Sequence, residues 1–292
     1  MAVEERDPHS GHMTTGHEWN GIKELNTPVP KPVWFFLAVT ALFAIGYWIA
    51  MPAWPTGTSF TRGLLGADDR RSTAEQVRQG TAARAQWVDA IQAASYAEVL
   101  ADSKLITHVR DDGRRLFRDN CSACHGPDGR GGVGFPDLAD RDWLWGGSPE
   151  TIAETIRVGV NAPASGTRVS QMLAFGRDGL LDGDAVVAVS DYVASLSDPA
   201  LAREKPQSVT AGREVFAANC VACHGADARG NQALGVPNLT DKASVYGHDW
   251  GAIYNTVNTG QQGQMPAWGG RLTGPEIKLL TLYVLDLGRR ER

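Results

Sequence analysis

The stretch Gly113-Arg-Arg-Leu-Phe117-Arg-Asp-Asn120-Cys121-Ser-Ala-Cys124-His125-Gly126 decides how this chain is read. It returns as Gly212-Arg-Glu-Val-Phe216-Ala-Ala-Asn219-Cys220-Val-Ala-Cys223-His224-Gly225. Each copy holds Cys-x-x-Cys-His, the attachment signature of a c-type haem. Two thiols at this spacing can bond the two vinyl groups on one porphyrin edge, and the His that follows is then held beneath the iron as its proximal ligand. All four cysteines of the chain lie in these motifs. A zinc site made of two Cys-x-x-Cys pairs needs no His after each pair, and a thioredoxin-like redox pair expects one motif on a strand-helix unit. The motifs therefore predict two covalently bound haem c groups, attached at Cys121, Cys124, Cys220 and Cys223, with iron bound by His125 and His224.

Outward from the motifs the copies continue to match. Gly113 and Phe117, like Gly212 and Phe216, are four residues apart and share a helical face. The Gly would admit a second helix, and the Phe would pack beside the porphyrin. Phe135-Pro136-Asp-Leu138 answers to Val236-Pro237-Asn-Leu239, and Ile152 and Gly159 answer to Ile253 and Gly260. Each copy ends in an apolar helical stretch with a Tyr, Val186 to Leu196 with Tyr192 and Ile277 to Leu287 with Tyr283. This is a duplicated domain, and each copy resembles the monohaem cytochrome c fold, in which the first and last helices cross. The resemblance rests on Gly113, Phe117, Cys121, Cys124, His125 and Tyr192 and on their counterparts. It predicts an all-α protein with cytochrome c domains at 108–198 and 208–289, each closed by its own last helix.

An electron carrier usually gives its iron a second protein ligand, and a Met thioether raises the potential relative to a second His. Of five Met residues, Met1, Met13 and Met51 precede the copies. That leaves Met172 in Ser170-Gln-Met-Leu-Ala-Phe-Gly176 and Met265 in Gln264-Met-Pro-Ala-Trp-Gly269, one per copy. Core packing is the ordinary role of a Met, but the count and the Gly-flanked position predict ligation, each Met serving the haem of its own copy. His108 and His248 are read as surface or packing residues. With both sixth positions filled, neither haem has an open coordination site, and the unit is a relay rather than a catalytic centre. Arg130, Arg168 and Arg229 are candidate contacts for haem propionates, because Arg pairs well with carboxylates.

Before the copies, residues 1–32 are polar and contain His9, His12 and His17; composition predicts a solvated tail rather than a metal site. From Val33 to Trp54 runs an uncharged stretch, VWFFLAVTALFAIGYWIAMPAW, of 22 residues. As a helix it would be roughly 33 Å long, enough for a bilayer core. Trp34, Trp48 and Trp54 lie near its ends, where indoles favour the lipid-water interface. The long polar segment before it argues for a retained anchor rather than a cleaved signal. Pro28, Pro30 and Pro32 are expected to stop any helix before residue 33. A linker fills 55–107, with a helix expected over 73–101. The net charge of −5 argues against nucleic acid and suits a basic docking partner.

The stretch His17-Glu18-Trp19-Asn20-Gly21-Ile22-Lys23-Glu24-Leu25-Asn26-Thr27-Pro28, together with Tyr47-Trp48-Ile-Ala-Met51-Pro52-Ala53-Trp54-Pro55, closely resembles the dihaem subunit of the cbb3-type cytochrome c oxidases. Thr167-Arg168-Val169-Ser170-Gln171-Met172 also fits. At Met172 this chain has Leu173 where the family pattern is Met-Pro-Ala. The resemblance implies a single-pass anchor in a bacterial cytoplasmic membrane, with a cytoplasmic amino terminus and periplasmic haem domains, since c-type haem is attached outside. It implies electron transfer from a periplasmic cytochrome c donor to a monohaem cytochrome c subunit. A separate haem-copper catalytic subunit would reduce oxygen and pump protons. The chain would thus be a non-catalytic electron-transfer part of an enzyme. The rival reading is a stand-alone anchored dihaem carrier for another pathway. A dihaem peroxidase would need a displaceable sixth ligand, against which the two Met loops argue, and no output domain supports a gas sensor.

Overall fold

The structure is a computed structural model that describes residues 5–140, 142–241 and 243–290. It divides into two compact units, residues 1–83 and 84–292.

The first unit opens with a hairpin where a solvated tail was expected. Strand β1 (Thr14–Trp19) pairs antiparallel with β2 (Ile22–Leu25), with Glu18 opposite Lys23 and Trp19 opposite Ile22. The two-residue loop between them is Asn20-Gly21, both at positive φ (52° and 85°). Such a loop matches the right-handed twist of the strands, and Asn-Gly is the pair that tolerates it best. Lys23 forms an ion pair with Glu5, and the Glu5 amide donates to Thr14 Oγ1 at 3.2 Å.

Helix α1 (Lys31–Ala50) has 20 residues, a mean hydropathy of 2.0 and no buried side chain. At about 1.5 Å per residue it is roughly 30 Å long, the thickness of a bilayer core. It starts two residues before the expected span, because Pro32 sits in the first turn, where its missing N–H is no loss. It stops at Ala50, earlier than expected. Pro52 disfavours helical backbone at Met51, which is extended (φ −112°, ψ 160°). Trp48 and Trp54 meet edge to face at 5.1 Å across that end.

The single helix expected over 73–101 is two, α2 (Asp69–Ala93) and α3 (Tyr96–Ala101). A capping box divides them: Ser95 Oγ accepts from the Glu98 amide and Glu98 accepts from the Ser95 amide. Trp87 of α2 stacks on His108, with ring centres 4.9 Å apart, so this His is a packing residue. Nine more helices follow among the described residues. They are α4 (Ser103–Asn120), α5 (Ser122–His125), α6 (Pro149–Val158), α7 (Gly183–Ser197), α8 (Pro199–Glu204), α9 (Pro206–Asn219), α10 (Val221–His224) and α11 (Trp250–Thr259), followed in turn by α12 (Gly274–Arg290).

The helices cross, but not within each copy. The last helix of the chain, α12, lies on α4, and α7 lies on α9 and α11. A Cβ at Gly113 would come within 2.9 Å of Tyr283 Cβ, and one at Gly212 would run into the Ala188 carbonyl. Phe117 packs on Tyr283 (5.4 Å between ring centres) and Phe216 on Tyr192 (5.3 Å). The expectation that each copy is closed by its own last helix is therefore corrected: the closing helices are exchanged.

The cause is the connection between the copies. Only α8 and two flanking residues join α7 to α9, and a link that short makes its helices neighbours. Buried Asp191 on α7 locks the pair, accepting from Lys205 Nζ (2.8 Å), Ser208 Oγ (2.7 Å) and Trp250 Nε1 (2.7 Å). With α7 held on α9, the apolar face of α4 is covered by α12, where Arg110 donates two hydrogen bonds to buried Asp286, both 2.9 Å.

Candidate haem sites

Each motif follows its long helix through one αR residue (Cys121, Cys220) into a single helical turn, α5 or α10. That turn presents both thiols and the His on one side. Burial and the neighbouring Cys124 push the Cys121 thiol up to about 11; burial and Cys223 do the same to Cys220. The imidazoles match closely. His125 Nδ1 lies 3.1 Å from the Pro136 carbonyl and His224 Nδ1 lies 3.3 Å from the Pro237 carbonyl. A carbonyl only accepts, so Nδ1 carries the proton and Nε2 keeps its lone pair. Burial also holds both imidazoles below the ordinary histidine range. A neutral His with Nδ1–H tied to a backbone oxygen is the form that binds a metal through Nε2. The residues present thus fit haem c at both motifs.

The Met residues are placed contrary to the contiguous-copy expectation. Met265 packs against the cluster that contains Phe117, Cys121 and Tyr283, whereas Met172 packs against the one with Phe216, Cys220 and Tyr192. Each Met thus lies with the motif of the other copy. Two reciprocal backbone pairs hold them there. Val160 and Met265 exchange both N–H to carbonyl bonds at 2.9 Å, and Met172 and Gln261 do so at 2.8 and 3.0 Å. Val160 follows Gly159 and Gln261 follows Gly260, so the arrangement repeats by pseudo-twofold symmetry. A Cβ at Gly260 would sit 2.6 Å from the Met172 carbonyl, and one at Gly159 would strike the Met265 carbonyl. These glycines let the two loops approach.

Of the three arginines, Arg168 donates from Nε to Thr155 Oγ1 (2.9 Å) and stacks over Trp145 at 4.9 Å. Arg229 is exposed beside Asp227. Arg130 lines a surface cleft with Arg114, Arg118 and Tyr283. Trp145, which sequence reasoning passed over, lies against Gly235 in the loop after the second motif, and Trp143 accepts at its carbonyl from Gln232 Nε2 (3.0 Å). The two motif loops thus touch each other.

Family models match three stretches of the chain. Residues 11–58 match the N-terminal domain of cytochrome oxidase-cbb3, FixP. Residues 111–197 match cytochrome c, and residues 207–284 match cytochrome C oxidase, cbb3-type, subunit III. The cbb3-type cytochrome c oxidase subunit FixP of Bradyrhizobium diazoefficiens is 46% identical over 286 residues, 97% of each chain. This chain belongs to the FixP/CcoP family. Subunit CcoP of Azospirillum brasilense is 41% identical over 99% of each chain, and that of Cereibacter sphaeroides 38% over 95% of each. As a FixP/CcoP protein the chain carries two haem c groups, for which the cysteine pairs 121/124 and 220/223 fit, and takes part in electron transfer. Its apolar helix α1 is an anchor for a membrane.

Proposed function

We propose that the chain is the electron-entry subunit of a cbb3-type oxidase, itself without a site that reduces oxygen. The observation that carries this is the pairing, at each motif, of a neutral His with its Nε2 lone pair free and a Met packed on the same apolar cluster as the first attachment cysteine. Cys121 and Cys124 attach the first haem and Cys220 and Cys223 the second. His125 with Met265, and His224 with Met172, are the two ligand pairs. Haem c supplies one-electron chemistry when bound. The chain's own part is to fix the ligands, exclude water and hold the potentials high through the Met thioether. Filled sixth positions leave the relay no catalytic iron.

The partners are a periplasmic cytochrome c donor, the monohaem cytochrome c subunit and the haem-copper catalytic subunit, reached in that order. The amino-terminal hairpin lies in the cytoplasm, α1 crosses the inner membrane once, and the haem-bearing helices are periplasmic. The relatives' names and the coverage of the whole chain, hairpin and α1 included, support this reading. The test is a visible spectrum of the tagged chain purified from its host's membranes in mild detergent, reduced and then exposed to carbon monoxide. Co-purifying b-type haem and a carbon-monoxide-reactive species are expected. Only c-type absorbance, indifferent to carbon monoxide, would overturn the assignment.

A further inference from the structure

Between the two Met loops stands Asn161, a non-glycine residue at positive φ (48°). Its side chain reaches both loops. Nδ2 donates to the Ser170 carbonyl (2.8 Å) and to the Gly263 carbonyl (2.7 Å), and Oδ1 accepts from the Ser170 amide (3.2 Å). Ser170 lies two residues before Met172, and Gly263 two before Met265. The backbone of Asn161 joins the same knot: its N–H donates to the Arg168 carbonyl (2.7 Å) and its carbonyl accepts from Gln264 Nε2 (3.1 Å). Asn is the side chain suited to this place. It tolerates left-handed backbone, and only an amide offers two donors and an acceptor on one short stem. The pseudo-twofold arrangement breaks here, since the corresponding position in the second copy is exposed Gln262.

We infer that Asn161 is a positioning residue for both haems at once, a side chain that bonds to both loops carrying the sixth ligands and sets their register. The inference rests on Met172 and Met265 being those ligands. Because one amide ties the loops together, its loss loosens both Met–iron bonds, although no atom of Asn161 need touch either haem.

The test uses the full chain in its purified complex and imidazole as the probe. Imidazole replaces a Met on ferric haem only when the Met loop swings away, so its affinity reports how firmly each loop is held. Met172→Leu and Met265→Leu come first. Each is expected to abolish the Met-sulfur-to-iron charge-transfer band of one haem and leave the other. If the band survives in both, the ligand reading fails, whatever Asn161 does. With that reading secure, Asn161→Asp turns the shared donor into an acceptor facing two carbonyls, and Asn161→Gly removes it while keeping the backbone conformation. Both variants are expected to bind imidazole more tightly at both haems, by roughly tenfold or more; Asn161→Asp loses one hydrogen bond per loop, and Asn161→Gly loses a second one at Ser170. Gln262→Ala is expected to leave both affinities as they are. Unchanged affinity at both haems in Asn161→Gly, or a change at only one, would overturn the inference. So would an equal effect of Gln262→Ala.

Discussion

The two haem units are built from the same repeat yet assembled over very different stretches of chain. The unit of α7, α9, α10 and α11 closes through near neighbours, Tyr192 on Phe216 across the α8 link. The unit of α4, α5, α6 and α12 closes only when Tyr283 reaches back to Phe117. Loop-closure entropy grows slowly with length, so both are thermodynamically accessible, but the second depends on a helix that is the last part of the unit to arrive. Local sequence sets what each motif does; connection length sets which helix and which Met complete it.

The largest test of that contrast is the ligand exchange. In a chain whose second motif is disabled by Cys220→Ala and Cys223→Ala, one haem remains. Adding Met265→Leu is expected to remove its Met-to-iron charge-transfer band completely, and adding Met172→Leu to leave it. The contiguous-domain arrangement demands the reverse.

Next come the helix crossings. Gly212→Ala drives a methyl into the backbone carbonyl of Ala188, whereas Gly113→Ala meets the Tyr283 side chain. Overpacking costs about 1–3 kcal/mol. Gly212→Ala should lie at the upper end, because backbone cannot step aside, and Gly113→Ala near the lower. Denaturant midpoints of the two holoproteins give the ranking, and equal losses would mean the crossings are equally tight.

A smaller loss is expected at the lock between α7 and α9. Asp191→Ala removes three hydrogen bonds but leaves Lys205 able to regain water, so the cost should be about 2 kcal/mol. Asp286→Ala should cost the other crossing a similar amount. If Asp191→Ala also unsettles the first haem, as seen in its absorbance during thermal unfolding, the two units melt as one.

The mildest perturbation is pH. Burial alone would raise the Asp191 carboxyl, but the hydrogen bonds from Lys205, Ser208 and Trp250 outweigh it and hold the group below its ordinary value. A depressed folded pKa contributes stability that is present above the unfolded value, about 4, and is lost as pH falls through the folded one. Acid should therefore weaken wild type below about pH 4 more steeply than Asp191→Asn, as read from melting temperatures across that range.

Much of this protein was legible as sequence. The repeated Cys-x-x-Cys-His motifs, the paired Gly and Phe before them, the two Met loops and the apolar stretch of α1 are all local patterns, and local chemistry dictates them. Thiol spacing fits a porphyrin edge, and a run without charge fits lipid. The Asn20-Gly21 hairpin was missed: its turn pair is a local signal, but the polar composition around it points to a solvated tail. What no local pattern could reveal is which Met lies with which motif. Both copies carry the same signals, so α7 and α12 are each chemically able to close either unit. Tertiary structure alone decided between them. The α8 link is too short to let α7 leave α9, Asp191 fastens it there, and α4 is covered instead by α12.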